Sequence, residues 1–380
     1  MVVWIQNPFD NLPGEGFRKQ RYWMMAEAFL RAGHRVVYWT GDFSHACKCA
    51  RRFDAAFTPP PGLELRLVPT APYRRNVGIA RIASHRRYAR TWRGMALAAV
   101  RSGAPAPSLI VTSVPTVSAA SVALAVGRRL GARTVADVQD AWPESFERLA
   151  PKGFRTIARA LLYPLAAQAR RVYREADVVT GVCDRYRGLT GRGDYMRAYL
   201  GAELGARPEE KPVCGRADRI RLVYAGGLGR TYDLGTLVDA VEANGDFELD
   251  VAGFGDFRRV SARVRFHGRL PDGRLRALFA GADAGVVPMA DDSLVGVPNK
   301  FIDYAAAGLA IVSSLGGESA DLLAKYRCGA TYRAGDPVSL AAAVRSAAEL
   351  ARGVSRTMCE REFDAVKIYD DYVNKVCSDD

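Results

Sequence analysis

The chain has 380 residues, of which 49% are hydrophobic and 25% charged, an ordinary composition for a globular protein of two or three domains. No apolar stretch approaches the ~18–20 residues of a membrane-spanning helix, and the start, MVVWIQNPFDNLPGEG, reads as a strand and loop rather than a signal peptide. Seven scattered cysteines form no disulfide framework, so we expect a cytoplasmic protein. These observations exclude a disordered or a transmembrane protein.

The net charge of +13 is unevenly distributed. Residues 1–200 contain 31 Lys and Arg against 14 Asp and Glu, whereas residues 201–380 contain 23 against 27. Between Glu64 and Asp137 there is no acidic residue but there are twelve arginines. A one-sided positive field of this kind attracts an anionic membrane surface, a phosphorylated substrate or nucleic acid, although a solvated arginine-rich face is the simpler interpretation.

Short apolar runs alternate with helical patterns, which is typical of parallel sheets with crossover helices. The predicted strands of the first half are residues 2–5, 35–39, 63–68, 109–112, 134–138 and 177–182. Those of the second half are 221–225, 248–252, 264–267, 284–287 and 310–313. The turn-rich stretch 201–214 reads as a linker. We therefore predict an α/β protein of two Rossmann-like domains facing across a cleft, residues 1–203 and 215–352, with a helical tail, 353–380, that can pack back on the N-terminal domain.

Two helical patterns bear on membrane association. Residues 154–176 contain the run LLYPLAA, but Arg159 and Pro164 interrupt it, which favours a helix packed on the sheet. Residues 73–93 are either a loop or a basic amphipathic helix suited to an anionic interface. The apolar members of that pattern are Ile79, Ile82, Tyr88 and Trp92.

Glycine-rich turns follow two strands of the second half. Residues 226–230 read GGLGR, and residues 252–255 read AGFG. The backbone amides of such turns can approach a phosphate, and the guanidinium of Arg230 can bind its oxygens. Proteins with Rossmann-like domains bind their ligands at the carboxyl ends of the strands. Gly227, Gly229 and Gly253 are therefore candidate binding positions. Either turn alone is also common where no ligand binds.

The segment 281–319, GADAGVVPMADDSLVGVPNKFIDYAAAGLAIVSSLGGES, resembles the donor-binding region of family 4 glycosyltransferases, retaining enzymes of the glycosyltransferase B fold. Residues 31–36, RAGHRV, resemble the family's "rGHeV", and DVQDAWPES at 137–145 resembles a turn of a bacterial surface-polysaccharide subgroup. The resemblance implies a hexosyltransferase that uses a nucleotide-diphosphate sugar. Its acceptor would be a saccharide, lipid-diphosphate-linked, at the inner face of the plasma membrane.

The resemblance also implies roles for residues of the second half. The second acid of the family's two-acid motif, which holds the ribose, falls at Asp303, whereas the first falls at Val295 and is missing. The sugar would then be held by backbone amides at Gly296 and Val297. Lys300 is a candidate phosphate or sugar contact, or else a surface lysine. The family's glycine-containing turn after the next strand falls at Gly317 and Glu318.

In the first half, Asp140 falls where many family members carry the aspartate of a His-Asp pair. It is a candidate for orienting the acceptor hydroxyl, and its alternative role is to cap the following helix. Gly16 and Arg18 belong to the loop that covers the donor phosphates in the family. Arg18 can equally be an exposed residue at the start of a helix.

The expected leaving group is a nucleoside diphosphate, so catalysis requires stabilisation of developing negative charge. Asp140, Arg230 and Lys300 are the predicted catalytic residues, with no metal or cofactor, and the His45, Cys47 and Cys49 spacing is not typical of zinc. Two alternatives remain: a nucleotide-sugar 2-epimerase of the same fold, which needs acid/base groups such as His267, and a non-catalytic nucleotide- or RNA-binding subunit. No recognised nucleic-acid module is present, so nucleic acid is not an expected partner.

Overall fold

The computed structural model describes residues 1–76, 78–205, 219–229 and 231–378, without the side chains of residues 149 and 152. The chain divides into two compact units: Met1–Ala198 with Val366–Asp380, and Tyr199–Ala365. The second unit is continuous in sequence, whereas the end of the chain completes the first. Of the predicted linker, residues 206–214 lie outside the described residues.

The strands of the first unit are β1 Val2–Gln6, β2 Arg35–Gly41, β3 Phe43–Ser44, β4 Cys49–Ala50, β5 Leu63–Val68, β6 Leu109–Val114, β7 Arg133–Val138, β8 Val178–Gly181 and β9 Met196–Arg197. Among the described residues, seven of them form a parallel sheet in the order β5-β2-β1-β6-β7-β8-β9. β3 and β4 form a separate antiparallel hairpin. All six predicted strands are confirmed, while the hairpin and β9 were not predicted.

The helices of the first unit before its C-terminal part are α1 Arg21–Arg31, α2 Ile79–Arg101, α3 Val117–Leu130, α4 Glu144–Leu149, α5 Arg155–Glu175 and α6 Arg185–Thr190. The structure corrects the interface prediction for residues 73–93, because Tyr88 and Trp92 of α2 are fully buried. Trp92 packs edge-on against Trp4 and Trp39, with ring centroids 6.5 and 6.4 Å away. These aromatic residues belong to the core, and only the start of α2 exposes apolar side chains.

A buried ion pair joins α1 to the sheet of the first unit. Two nitrogens of Arg21 donate to the Asp137 carboxylate at 2.8 Å, and the hydroxyls of Tyr22 and Thr180 donate to the same carboxylate at 2.7 and 2.6 Å. Burial favours the neutral carboxyl, but the charge and hydrogen bonds of Arg21 outweigh it and lower the pKa of Asp137. The carboxylate is therefore ionised and fully hydrogen-bonded inside the core.

The strands of the second unit are β10 Ile220–Ala225, β11 Phe247–Ala252, β12 Val264–Gly268, β13 Ala284–Val287, β14 Ala310–Ser313 and β15 Gly329–Thr331. In the described part of the chain they form a six-stranded parallel sheet in the order β12-β11-β10-β13-β14-β15. The five predicted strands are confirmed. The order reverses between β10 and β13, and this switch point is where open α/β sheets bind ligands.

The helices of the second unit are α7 Leu234–Ala243, α8 Asp272–Gly281, α9 Asn299–Ala306, α10 Glu318–Tyr326, α11 Pro337–Ala348 and α12 Arg356–Glu362. Local sequence explains where two of them begin. The Asp233 carboxylate accepts a hydrogen bond from the Thr236 N–H at 3.2 Å, which caps α7. Asp336 caps α11 in the same way, and Pro337 stands at its first position, where a missing N–H has no cost.

The final helix, α13 Ala365–Cys377, lies almost entirely in the first unit. Its Tyr369 and Tyr372 side chains are buried, and the Arg21 guanidinium carbon lies 5.6 Å from the Tyr369 ring centroid. The single helical pattern predicted near residues 355–376 is thus divided into α12 and α13, which belong to different units. Among the described residues, no helix is long and apolar enough to cross a membrane.

Candidate functional site

The loops after β10, β11, β13 and β14 lie at the same carboxyl-terminal edge of the second sheet, because these strands are parallel. The loop after β10 is tied to the loop after β13, since the Asp233 N–H donates to the Pro288 carbonyl at 2.8 Å. The Ser314 hydroxyl, after β14, accepts from the Met289 N–H at 2.8 Å. These hydrogen bonds hold the loops around the switch point between β10 and β13.

Lys300 points into this group of loops. It stands in the first turn of α9, yet it is only 5% exposed. Its Nζ lies 3.4 Å from the Tyr232 ring centroid and 4.9 Å from that of Tyr224. Burial lowers the pKa of Lys300 to about 7, an effect that the negative charge of Asp303 partly opposes. The interpretation of Lys300 as a surface lysine is therefore wrong.

The position of Lys300 is unfavourable to the fold itself. A cation in the first turn of a helix faces the positive end of the helix dipole, and burial removes its hydration. The described contacts of the ammonium are two aromatic rings, which compensate only partly. An arrangement with these costs is typical of a site where an anionic ligand binds. Tyr224 and Tyr232, which line it, were not predicted, although Tyr224 lies at the end of β10 and Tyr232 in the loop that follows.

The glycines after β10 and β11 have different roles. A Cβ atom on Gly227 or Gly229 would meet little or nothing, so a ligand can approach the backbone there. Gly253 is different, because a Cβ would lie 1.8 Å from the Gly226 carbonyl oxygen. The close contact between the two loops therefore explains Gly253 without a ligand. Arg230, the predicted catalytic arginine of this turn, lies outside the described residues.

The other predicted donor-site residues lie around α9 and α10. Asp303 stands one turn along α9 from Lys300. The Gly296 carbonyl accepts from the Ser319 hydroxyl of α10 at 2.6 Å, and Val297 is buried beside it. Gly317, with φ +58°, precedes α10, and the Tyr199 hydroxyl donates to the Glu318 carboxylate at 2.6 Å.

The structure places Asp140 two residues after β7, at the carboxyl edge of the first sheet. The Ser145 hydroxyl donates to its Oδ1 at 3.2 Å. Burial raises the pKa of Asp140, although the bonds from Ser145 and the neighbouring backbone oppose the shift. Pro143 rather than Asp140 stands at the N-cap of α4, and the described bond from α4 to Asp140 comes from the Ser145 hydroxyl rather than from a backbone N–H. A carboxylate with a raised pKa suits a proton acceptor.

Gly16 and Arg18 lie in the loop between β1 and α1. Glu15 anchors this loop, because its carboxylate accepts from the Leu12 N–H at 2.9 Å and from the Arg51 guanidinium at 2.5 Å. Gly16 has φ +74°, and no atom lies within 4 Å of where a Cβ would stand. Both Gly16 and Arg18 are exposed. The loop therefore presents accessible backbone on a fixed support.

Cation-binding side chains are not grouped in the part of the chain that the structure describes. There, no three His, Cys, Asp or Glu side chains lie together in a way that could hold a metal ion.

Two parallel sheets with crossover helices define a Rossmann-like protein, and the buried Lys300 lies at the switch point where such sheets bind ligands. The model of the "Glycosyl transferase 4-like domain" matches residues 19–210, and that of "Glycosyl transferases group 1" matches residues 219–349. The first match alone covers half of the chain. The chain therefore belongs to the group 1, family 4-like glycosyltransferases.

Solved structures agree with this fold. Sucrose-phosphate synthase from Thermosynechococcus elongatus is 16% identical, with a TM-score of 0.68 over 98% of this chain and 97% of that chain. HepE from Anabaena, solved with UDP and glucose, is 14% identical, with a TM-score of 0.66 over 99% and 98%. WaaG, a glycosyltransferase involved in lipopolysaccharide biosynthesis, is 14% identical, with a TM-score of 0.64 over all of both chains. No curated protein matches the sequence significantly.

These findings confirm the glycosyltransferase B fold and a glycosyltransferase activity. They favour glycosyl transfer over the epimerase and over the non-catalytic subunit. His267, whose imidazole the epimerase alternative invoked, instead lies 2.7 Å from the Asp250 carboxylate on the neighbouring strand.

Proposed function

We propose that the protein is a retaining glycosyltransferase that transfers a sugar from a nucleotide-diphosphate sugar to a saccharide acceptor. The observation that carries this proposal is Lys300, a buried ammonium at the switch point of the second sheet with aromatic rings as its described contacts. The diphosphate of the donor supplies the missing negative charge. Asp303, one turn away, accepts hydrogen bonds from the ribose hydroxyls.

The chemistry follows from charge. The bond between the sugar C1 and the diphosphate oxygen breaks, the acceptor oxygen bonds to C1, and the proton of the acceptor hydroxyl passes to the departing diphosphate. Negative charge therefore grows on the diphosphate in the transition state, where Lys300 and the amides of Gly227 and Gly229 stabilise it. These groups act without a metal ion. On the first unit, Asp140 accepts the hydrogen bond of the acceptor hydroxyl and orients it.

We propose uridine as the base of the donor, because HepE, a structural neighbour, was solved with UDP-glucose. The direct test is the thermal unfolding midpoint of the full chain with UDP, GDP, ADP or CMP. UDP is expected to raise the midpoint most, since a ligand at ~100 times its Kd adds about 2.7 kcal/mol to the stability of the folded state. A higher midpoint with GDP would reassign the base. No shift with any nucleotide would contradict the donor site itself.

The acceptor is, in this proposal, linked to a lipid diphosphate in bacterial surface-polysaccharide synthesis, and the protein binds the inner face of the plasma membrane. An apolar stripe on the first unit supports membrane binding. Phe154, at the N-cap of α5, and Ile157 and Leu161 within it follow one another at helical spacing and are 61%, 56% and 77% exposed. Arg170 packs over the exposed ring of Tyr163 on the same helix. Exposed apolar and aromatic groups beside arginines suit an anionic bilayer.

Binding to vesicles of anionic lipid tests the membrane proposal. Leu161→Asp is expected to reduce the bound fraction in sedimentation several-fold, because it places a carboxylate where the stripe enters the interface. Val338→Asp, an equally exposed position on α11, is the matched control and is expected to bind normally. Raising the salt from ~0.1 to ~1 M shortens the Debye length from about 10 to about 3 Å and is expected to release the protein. Equal binding to neutral vesicles would contradict the proposal.

A further inference from the structure

A second group of cations lies at the carboxyl edge of the first sheet. The loops after β1, β5 and β7, the turn between β3 and β4 and the start of α2 contribute to it, and we refer to it as the Arg81 cluster. Its members are Phe9, His45, Lys48, Tyr73, Arg81 and Trp142. Asp140 acts on it electrostatically, because its charge favours the protonated form of Arg81. The cluster therefore lies beside the residue proposed to orient the acceptor.

The described contacts of Arg81 are with aromatic rings and neutral hydrogen-bond acceptors, while Asp140 acts on it only through its charge. Its guanidinium carbon lies 4.7 Å from the Trp142 ring centroid, 5.2 Å from that of Phe9 and 6.0 Å from that of Tyr73. Its described hydrogen bonds go to the Asn76 carbonyl at 2.7 Å and to Nε2 of His85 at 3.3 Å. An arginine whose role was structural would normally bind a carboxylate in such surroundings. The positive charge of Arg81 is held in place but is not neutralised by these contacts.

Lys48 has the same kind of environment. Its ammonium donates to Oδ1 of Asn76 at 2.6 Å, lies 3.2 Å from Nδ1 of His45 and 4.9 Å from the Tyr73 ring centroid. Its backbone has φ +57°, a left-handed conformation that is unfavourable for a residue with a side chain and is most often kept at functional sites. The turn between β3 and β4 therefore holds this lysine next to Arg81 at some cost to the fold.

The pKa shifts of the neighbouring groups reflect burial first and the positive charges of Arg81 and Lys48 second. Burial, together with Arg81 and Lys48, lowers the pKa of His45 to about 3. Burial and Arg81 also lower the pKa of His85 to about 3 and that of Lys48 to about 8. Both imidazoles are therefore neutral at physiological pH, and the two cations repel each other. An anion between Lys48 and Arg81 would remove this repulsion.

We propose that Lys48 and Arg81 bind an anionic group, a phosphate or a carboxylate, carried by the acceptor saccharide. The adjacent rings of Phe9, Tyr73 and Trp142 suit the apolar C–H face of the sugar that bears this group. The identification of the ligand as the acceptor rests on the proposed function, whereas the existence of an anion site at Lys48 and Arg81 does not depend on it. The two sources of the anion are a phosphate on the reducing end of the sugar, as in a lipid-linked acceptor, and the carboxylate of an acidic sugar.

The test measures the pKa of Lys48 by NMR in the full chain, with lysine labelled with ¹³C at Cε and the Lys48 resonance assigned by Lys48→Gln. The groups facing Lys48 are Arg81 from α2, Tyr73 and Asn76 from the loop before it, and His45 from its own turn. We use a Lys300→Met background so that the donor site does not contribute. Inorganic pyrophosphate is expected to raise the pKa of Lys48 from about 8 by about one unit or more, which corresponds to at least ~10-fold tighter binding to the protonated form.

Two variants on α2 separate the proposal from a general charge effect. Arg81→Gln is expected to raise the pKa of Lys48 in the absence of any anion, because it removes a like charge, and to abolish the response to pyrophosphate. Arg86→Gln removes an exposed arginine of the same helix and is expected to leave the response unchanged. An unchanged Lys48 titration at saturating pyrophosphate, or an equal loss in both variants, would overturn the proposal.

Sugar ligands then distinguish the two sources. A response to glucose 1-phosphate but not to glucuronate assigns the site to a phosphate, and the reverse assigns it to a carboxylate. Neutral glucose is expected to give no response, and a response to glucose equal to that of both anions would overturn the proposal.

In the transfer reaction, Arg81→Gln is expected to raise the KM of the matching acceptor at least ~10-fold, with little change in the KM of the donor. Stabilisation by UDP is expected to persist in Arg81→Gln, so a failure here is distinct from a failure of the donor site.

Discussion

Replacing Lys300 with methionine is expected to lower turnover about 10²–10³-fold, the usual cost of removing one preorganised group that stabilises developing negative charge. The same change is expected to leave the folded protein at least as stable as the wild type. The reason is that Lys300 is a buried cation in the first turn of a helix, and methionine fills similar space without a charge. A steady-state assay and the free energy of unfolding of the same sample check both parts.

The pH dependence of this stability difference has a definite sign. The pKa of Lys300 is about 7 in the folded protein and 10.5 when unperturbed, so the unfolded chain binds more protons between these values. The loss of folding stability caused by the buried charge of Lys300 is therefore complete below pH ~7 and disappears as the pH rises toward ~10.5. Its upper bound is on the order of 5 kcal/mol, since each pKa unit is worth about 1.4 kcal/mol. Lys300→Met should thus gain most over the wild type near pH 6.

Lys325→Met is the matched control for Lys300→Met. Lys325 is a mostly exposed lysine of α10 that pairs with Glu362 at 2.6 Å, so its replacement should change stability little. Turnover should stay close to that of the wild type. If Lys300→Met unfolded the protein, or if it retained near-normal turnover, the role assigned to Lys300 would be wrong.

The largest loss of stability is expected from the buried pair in the first unit. Arg21→Leu leaves the Asp137 carboxylate buried without its cation, and breaking such a pair typically costs about 3–5 kcal/mol. Chemical denaturation of the full chain measures the change. Arg31→Leu is the control, because the Arg31–Asp370 pair is about half exposed and should contribute less than about 1 kcal/mol. Similar losses in both variants would contradict this assignment.

The acid sensitivity of the buried pair follows from the same structure. Folding lowers the pKa of Asp137, so its carboxylate stabilises the folded protein at every pH above its unfolded pKa of about 3.9. This stabilisation is lost as the pH falls through the pKa of Asp137 in the folded protein. Arg21→Leu should therefore show a weaker acid destabilisation than the wild type in the range below pH ~4.

The sheets were predictable because buried parallel strands are short, continuous apolar runs between turn residues. All eleven predicted strands appear among the described residues, with ends that differ by at most two residues. The strands that were missed, such as Met196–Arg197 and Gly329–Thr331, are only two or three residues long and contain no apolar run. Their pairing depends on neighbours that are already in place.

The environment of single side chains was much less predictable. Lys300 looked equally like a surface lysine, because its burial depends on Tyr224 and Tyr232, which are distant in sequence. The members of the Arg81 cluster come from several separate segments of the chain, so no spacing of residues within one segment predicts it. The prediction for Trp92 was wrong in the opposite direction. The basic amphipathic pattern of α2 placed Trp92 at an interface, whereas its side chain is buried in the core.

The division of the chain has a consequence for how the protein matures on the ribosome. The second unit is one uninterrupted stretch, whereas the first buries Tyr369 and Tyr372 from α13 next to α1 and β7. Synthesis proceeds from the N-terminus, so the first unit is completed only after the second unit and α13 have been made. We therefore expect a chain truncated near residue 365 to leave exposed the part of the first unit that Tyr369 and Tyr372 cover.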